Sequence, residues 1–235
     1  MKAACYCATR NVYDDVIPAL KSLLKHSDVE KVYLLLEDDE FPEKLPECCE
    51  VINVSGQEIF RPDGPNFVQH WTWMVLMRAA LTKVLPQELD RVLSLDLDTI
   101  VLDDISELWD EDLDGWYIAG VPEPLKCRGD MVYINNGVAL QNLKLLRETH
   151  MDDEIIRKLN RKFYFAPEQD AINVCCWGMV KALDGRYNVT PEDFTKRSDY
   201  SPKIIHYAAV KADWRKYALV ERYRKLPWCK VRAGL

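Results

Sequence analysis

The stretch Arg91-Val92-Leu93-Ser94-Leu95-Asp96-Leu97-Asp98-Thr99-Ile100-Val101 carries two carboxylates, one residue apart, at a break in an apolar run. Val92, Leu93 and Leu95 before the acids, and Ile100, Val101 and Leu102 after them, predict a buried strand interrupted by Asp96 and Asp98. Side chains alternate faces along an extended chain, so the two acids are expected to point the same way from the strand end. Bare carboxylates this close repel, and each costs on the order of several kcal/mol to desolvate. The pair therefore implies a divalent cation or a shared proton, with solvated strand-end acids as the plain alternative. Hard oxygen donors suit magnesium, calcium or manganese rather than a structural zinc. In open α/β sheets, ligands gather at the carboxyl ends of strands.

Outward from this stretch, strands alternate with helical patterns, which predicts a largely parallel sheet. Lys2 to Ala8, Lys31 to Leu36 and Glu50 to Val54 read as strands, and Asn11 to Lys25 has helical spacing through Val16, Ala19, Leu20, Leu23 and Leu24. A Gly- and Pro-containing loop, Ser55 to Phe67, precedes an apolar helix expected from about His70 to Leu85 and ended by Pro86. Further on, Ser106 to Trp109 reads as a helical turn, Trp116 to Val121 and Met131 to Leu140 as strands, and Met151 to Lys162 as a helix. Asn135, Asn136 and Gly137 interrupt the second of these strands. Amides in such a run need partners, and a glycine admits a close neighbour. Pro167 to Asn173 resembles a helix start with acids at the positive end of its dipole. Lys203 to Tyr207 is a short strand ending near His206, a residue that serves equally as a satisfied core histidine.

With 235 residues, 48% hydrophobic and 29% charged, the chain can bury a substantial core and is expected to form one domain. No apolar run approaches the roughly 20 residues that span a bilayer, and the N-terminus lacks a signal-like core, so a cytoplasmic location is expected. The net charge of −7 argues against a nucleic-acid binder. From Lys211 onward, however, eight basic residues face two acids, interleaved with Trp214, Tyr217, Tyr223 and Trp228. Such a tail can rest peripherally on an anionic inner membrane face, or dock its aromatics on the core. The eight cysteines fall on apparent elements without Cys-x-x-Cys spacing and read as reduced, mostly buried thiols.

Taken in order, Leu95-Asp96-Leu97-Asp98-Thr99, Tyr133-Ile134-Asn135-Asn136-Gly137-Val138, Glu168-Gln169-Asp170 and Ile205-His206-Tyr207 resemble glycosyltransferase family 8. That family includes glycogenin and bacterial lipopolysaccharide glucosyl- and galactosyltransferases. The resemblance begins at Ala8-Thr9-Arg10-Asn11-Val12-Tyr13 and runs to Trp214. It implies an α/β chain with the GT-A fold, a Rossmann-like mixed, largely parallel central sheet flanked by helices, over residues 1–235 with 211–235 as a basic aromatic tail. It further implies a retaining hexosyltransferase that moves glucose or galactose from UDP-glucose or UDP-galactose to a hydroxyl of a glycan, glycolipid or protein. Mn2+ is the implied ion, with Mg2+ as the substitute.

By the same resemblance, Asp96, Asp98 and His206 would ligate the metal, and Ala8, Thr9, Asn11, Tyr13 and Leu97 would surround the nucleotide, Tyr13 stacking on the uracil. Arg78 matches a basic position near the donor; a helix-surface arginine is its alternative. Asn135 and Asn136 would touch sugar hydroxyls with Gly137 permitting close approach, Lys211 would reach the diphosphate, and Glu123 would face the sugar or acceptor. Gln169, on the far face of the sugar, would orient it or stabilise charge, since an amide is a poor nucleophile. Three departures stand out. Glu168 replaces the family's common Asp, Ala209 and Ala212 stand where a glycine and a lysine are usual, and Asp213 replaces the proline before Trp214. Two other readings compete: a non-catalytic nucleotide- or glycan-binding member of the same fold, and a haloacid-dehalogenase-like phosphatase. The latter's Asp-x-Asp normally continues with Gly-Thr or Gly-Val near a domain start, whereas Thr99-Ile100 follows here with about 90 residues ahead.

Overall fold

The computed structural model describes residues 1–67, 72–129, 131–191, 201–208 and 213–231. Along the chain lie β1 (Ala3–Cys7), α1 (Tyr13–His26), β2 (Lys31–Leu36), β3 (Cys49–Asn53), α2 (Leu81–Val84), β4 (Arg91–Leu95) and β5 (Thr99–Val101). They are followed by β6 (Ile118–Pro122), β7 (Ile134–Asn142), α3 (Leu143–Glu148), α4 (Met151–Leu159), α5 (Pro167–Cys175), β8 (Val180–Ala182), β9 (Ile204–His206) and α6 (Ala218–Arg224). The central sheet runs β3-β2-β1-β4-β7-β6-β8. β3, β2, β1 and β4 are mutually parallel, β7 is antiparallel to both β4 and β6, and β8 is parallel to β6.

Period-two alternation splits the strand side chains between two cores. Ala3, Cys5, Tyr33, Leu35 and Val92 face one, with Met74, Met77, Ile155 and Ile172. Ala4, Tyr6, Val32, Leu34, Leu93 and Leu95 face the other, with Leu20, Leu23 and Leu24 of α1. Burial on both faces explains why β2, KVYLLL, reads as one continuous apolar run. In α1, Asp14 and Asp15 occupy the first turn and Lys25 and His26 the last, each matched to the helix dipole.

Two expectations are corrected. Instead of one helix from His70 to Leu85, a 3-10 segment covers Trp73–Ala79 and only Leu81–Val84 is α-helical; His70 and Trp71 lie outside the described residues. Side chains three apart eclipse in a 3-10 turn, so Met74, Met77 and Ala80 are buried together. An all-apolar stretch does not distinguish that period from 3.6. Second, Asp96 and Asp98 do not alternate along a strand. β4 ends at Leu95, and Thr99 closes a turn by donating its backbone N–H (3.2 Å) and its hydroxyl (2.6 Å) to the Asp96 carbonyl.

That turn redirects the chain into β5, which pairs antiparallel with β9 as a separate two-stranded sheet, Thr99 opposite His206. The tail packs back on α1: Arg215 donates to Asp15 at 2.6–3.0 Å, and the Tyr223 hydroxyl lies 2.7 Å from His26 Nε2. Tyr207 contacts the rings of Trp214 and Tyr217 at 6.1 and 4.9 Å between centroids. The tail aromatics are therefore docked, while Lys216, Arg222, Lys225 and Lys230 remain exposed. Cys5 and Cys176 are buried, but Cys7, Cys127 and Cys175 only partly, and Cys229 is exposed. No helix among the described residues is long and apolar enough to cross a membrane.

Candidate active site

Four elements deliver the polar groups to one edge of the sheet. β4 hands Asp96 and Asp98 to the turn at its carboxyl end. β7 runs antiparallel beside it, pairing Val138 with Leu95, and Gly137 accepts a 2.8 Å hydrogen bond from the Asp96 N–H. The register of β7 against β6 jumps between Gly120 and Val121, from Ala139 to Asn135, which leaves Asn136 to Val138 without ladder partners on β6. α5 carries Glu168 and Gln169, clamped to β7 by Asn173, whose side chain bonds both the N–H and the C=O of Ile134 at 2.8 and 3.0 Å. β9 brings His206 through its pairing with Thr99, and Tyr207 N–H bonds the Asp98 carbonyl at 2.9 Å.

The ligand atoms of Asp96, Asp98 and His206 lie within 4.8 Å of one another. His206 Nε2 is 3.4 Å from Asp96 Oδ2 and 3.2 Å from Asp98 Oδ1, and its Nδ1 meets Asn188 Oδ1 at 2.8 Å. Gly137 is what lets the imidazole in: a Cβ there would sit 2.0 Å from His206 Cε1. The close neighbour that this glycine admits is the histidine ring.

Arg78 is buried at 8% exposure, which excludes a helix-surface role. It pairs with Asp96 and Glu168 and donates to the Asn136 carbonyl at 3.0 Å. Burial pushes the Asp96 carboxyl up, but Arg78 and His206 outweigh it and hold the group at about 2. Glu168 is raised by burial in spite of Arg78. Burial lowers His206, yet Asp98 and Asp96 together raise it to about 10. Surroundings that favour a proton on this imidazole so strongly also suit a dication in the proton's place. Two carboxylates and an imidazole form a donor set that fits manganese or magnesium.

Beside this cluster, Gln169 is fixed from three sides. Its Nε2 donates to Glu123 Oε1 (3.2 Å) and Tyr133 OH (3.1 Å), and its Oε1 accepts from Asn136 N–H (3.1 Å). Tyr133 in turn donates to Asp170 at 2.5 Å. Glu123 also accepts from Asn135 Nδ2 at 2.9 Å and pairs with Lys126 at 2.7 Å. The two asparagines differ. Asn135 is engaged with Glu123, Gly137 and Asn188, whereas both side-chain polar atoms of Asn136 are buried without a hydrogen-bond partner among the described residues. Asn136 thus retains its full bonding capacity for a ligand.

The other sequence-derived residues line the same edge, since β1 pairs parallel with β4 and releases Ala8 and Thr9 beside Asp96. Thr9 is buried and bonds Asn11 Oδ1 at 2.6 Å. Leu97 is half-buried against the α1-side core. Tyr13 is only 5% exposed, its ring 5.6 Å from that of Phe41, and its hydroxyl receives Glu37 N–H and donates to Asp38. Lys211 lies outside the described residues. Sequence reading missed Asn188 and the role of the Tyr133 hydroxyl. It also missed a cavity of about 390 Å³ at the ends of β1 to β3, lined by Arg10, Glu37, Gln57 and the stacked pair Phe67 and Trp73. An isolated Asn between a 3-10 turn (Gly185–Tyr187) and the bridge residue Val189 gives no sequence signal.

The mixed sheet gathers paired acids, a histidine and an amide-rich wall at the carboxyl end of β4, and this architecture is the GT-A fold. The chain matches the model of glycosyl transferase family 8 over residues 5–218 and belongs to that family, which sets the phosphatase reading aside. It is 27% identical to glycosyltransferase GlyF of Streptococcus pneumoniae over 97% of this chain and 61% of GlyF. To the lipopolysaccharide 1,2-glucosyltransferase of Escherichia coli K12 it is 28% identical over 68% of this chain and 56% of that protein. The chain thus spans roughly half to three fifths of the length of these relatives. Its fold is similar to that of galactosyltransferase LgtC, solved with donor and acceptor sugar analogues (TM-score 0.70, 21% identity, 94% of this chain and 93% of LgtC). Similar too is GlyE of Streptococcus pneumoniae (TM-score 0.72, 20% identity, 98% and 62%).

Proposed function

We propose that this chain is a manganese-dependent, retaining hexosyltransferase that takes glucose or galactose from a UDP-sugar and delivers it to a hydroxyl of a glycan, glycolipid or protein. The observation that carries the reading is the convergence of Asp96, Asp98 and His206 within 4.8 Å of one another, on the edge where Gln169 and Asn136 meet. When bound there, Mn2+ or Mg2+ would neutralise charge on the departing diphosphate.

Around the ion, the chain's own residues divide the work. Arg78 pairs with both Asp96 and Glu168, holds the Asp96 carboxyl low and fixes where both carboxylates aim. Asn136 offers its unpartnered amide to a sugar hydroxyl. Gln169 has no proton to lose, and three hydrogen bonds hold its amide in place, so it acts as a fixed dipole that orients the sugar. That favours front-face substitution, in which a leaving phosphate oxygen takes the proton of the acceptor hydroxyl as the hydroxyl oxygen bonds to the anomeric carbon. Ala8, Thr9, Asn11, Tyr13 and Leu97 border the nucleotide. The exposed Lys216, Arg222, Lys225 and Lys230 provide a surface for peripheral contact with an anionic membrane.

The test is calorimetric titration of UDP, UDP-glucose, UDP-galactose, GDP and ADP, with Mn2+ present and then chelated. Micromolar, manganese-dependent binding confined to uridine diphosphates supports the reading. Binding no tighter than millimolar for every nucleotide overturns it.

A further inference from the structure

Four hydrogen bonds through three side chains, Glu123, Asn135 and Asn188, link the sugar-facing Gln169 amide to the metal-facing His206, and the polarity of this chain can be worked out from its ends. Glu123 Oε1 accepts from both Gln169 Nε2 and Asn135 Nδ2. A carboxylate only accepts, so Asn135 must turn its NH2 towards Glu123. The Asn135 oxygen then faces the Gly137 N–H at 2.9 Å, a group that only donates, and this fixes the amide from its other side as well. Asn188 meets that same oxygen at 2.9 Å and must present its NH2 to it. The Asn188 oxygen is left pointing at His206 Nδ1, 2.8 Å away, so Nδ1 must carry a proton. In a neutral imidazole, Nε2 is then bare, and it is Nε2 that faces Asp96 and Asp98.

Resting on the metal-site reading above, we propose that Asn188 is a positioning residue that makes His206 a metal ligand, and that Glu123, through Asn135, sets its orientation. Neither amide is free to flip, because an acceptor-only group anchors one end and a donor-only group the middle. Asn188 is 8% exposed and His206 3%, so water does not readily substitute for the amide. Glu123 therefore orients two groups at once, the Gln169 amide and, three hydrogen bonds away, the His206 imidazole.

The experiment compares Mn2+ binding, followed by electron paramagnetic resonance with UDP present, in the wild type, Asn188→Leu and Asn188→Asp, with thermal melts as a check on folding. Loss of the acceptor in the leucine variant is expected to weaken Mn2+ binding by about 10- to 100-fold. The aspartate variant keeps an acceptor for Nδ1–H but loses the donor to Asn135, and is expected to bind Mn2+ within about threefold of the wild type. A purely structural role, tying Asn135 in place, would make both variants equally poor, and that outcome overturns the proposal. Wild-type affinity in Asn188→Leu overturns it too. Should the leucine variant not fold, Asn188→Asp decides alone, a tenfold or greater loss counting against. Absence of Mn2+ binding in the wild type would instead overturn the underlying metal-site reading.

Discussion

Replacing Gly137 by alanine adds one methyl group and touches no polar atom, yet it should disable the site. The new Cβ would stand 2.0 Å from His206 Cε1, 2.5 Å from Nδ1 and 2.7 Å from Nε2. A carbon contact needs about 3.5 Å, so the imidazole must retreat by about 1.5 Å. Bonds to a small hard dication are about 2.1 Å long, and a ligand displaced by most of that distance no longer binds. Misplacement of about 1 Å costs roughly 100-fold in rate, which sets the lower bound for the loss of transfer. The cost to folding should be that of overpacking, about 1–3 kcal/mol. Sugar transfer from labelled UDP-hexose, Mn2+ affinity and urea unfolding would be measured together. Gly56→Ala serves as the control, since a Cβ there meets nothing within 4 Å; it should stay within about 0.5 kcal/mol of the wild type. Wild-type turnover and Mn2+ affinity in Gly137→Ala would refute the placement of the imidazole against this glycine.

Asp96→Asn and Asp98→Asn should each abolish transfer while leaving circular dichroism native-like; turnover at the wild-type rate in both would remove them from the metal site. Arg78→Leu leaves Asp96 and Glu168 without their shared cation, and should destabilise the fold by about 3–5 kcal/mol in urea titrations; an unchanged midpoint would show that the pairing adds nothing. Converting Lys216, Arg222, Lys225 and Lys230 to glutamine should weaken binding to anionic vesicles in flotation assays by about 1 kcal/mol per removed charge near the surface. These four are preferable to deleting the tail, because Val220 and Tyr223 are buried in it; unchanged flotation would defeat the membrane-contact reading.

The strand and its acids were legible because a fully buried strand is written as an uninterrupted apolar run, and polar groups at its end stand out against it. The turn that makes Asp96 and Asp98 converge was not legible. It depends on Thr99 bonding back to Asp96, where strand alternation offered an equally simple account. The same limit applies to Trp73–Ala79, apolar on nearly all sides because it lies under the sheet, where hydrophobicity carries no period to read. Arg78 was placed near the donor by resemblance alone; its burial between two acids follows from α5 packing on that segment, 90 residues away in sequence. Asn188 was invisible for a related reason. Its partners, His206 and Asn135, are 18 and 53 residues distant, and nothing local distinguishes it from a loop asparagine. Tyr13 was placed beside the nucleotide by resemblance alone; its hydroxyl is committed to Glu37 and Asp38 on the neighbouring loop, a contact that no spacing announces.

The two-stranded sheet of β5 and β9 also has a consequence for how the protein comes into being. Asp98 and His206 are paired through strands that a ribosome delivers far apart in time. At about 5–20 residues per second, the acids leave the ribosome roughly 5–20 s before the histidine that faces them. Through that interval β1 to β4 can already associate, but β5 has no partner strand and the carboxylates have no imidazole opposite. Nascent chains arrested shortly after Asp98 should therefore present two acids to solvent without a competent cation site. Competence arrives late and nearly all at once, when β9 docks and α6 closes over α1 behind it.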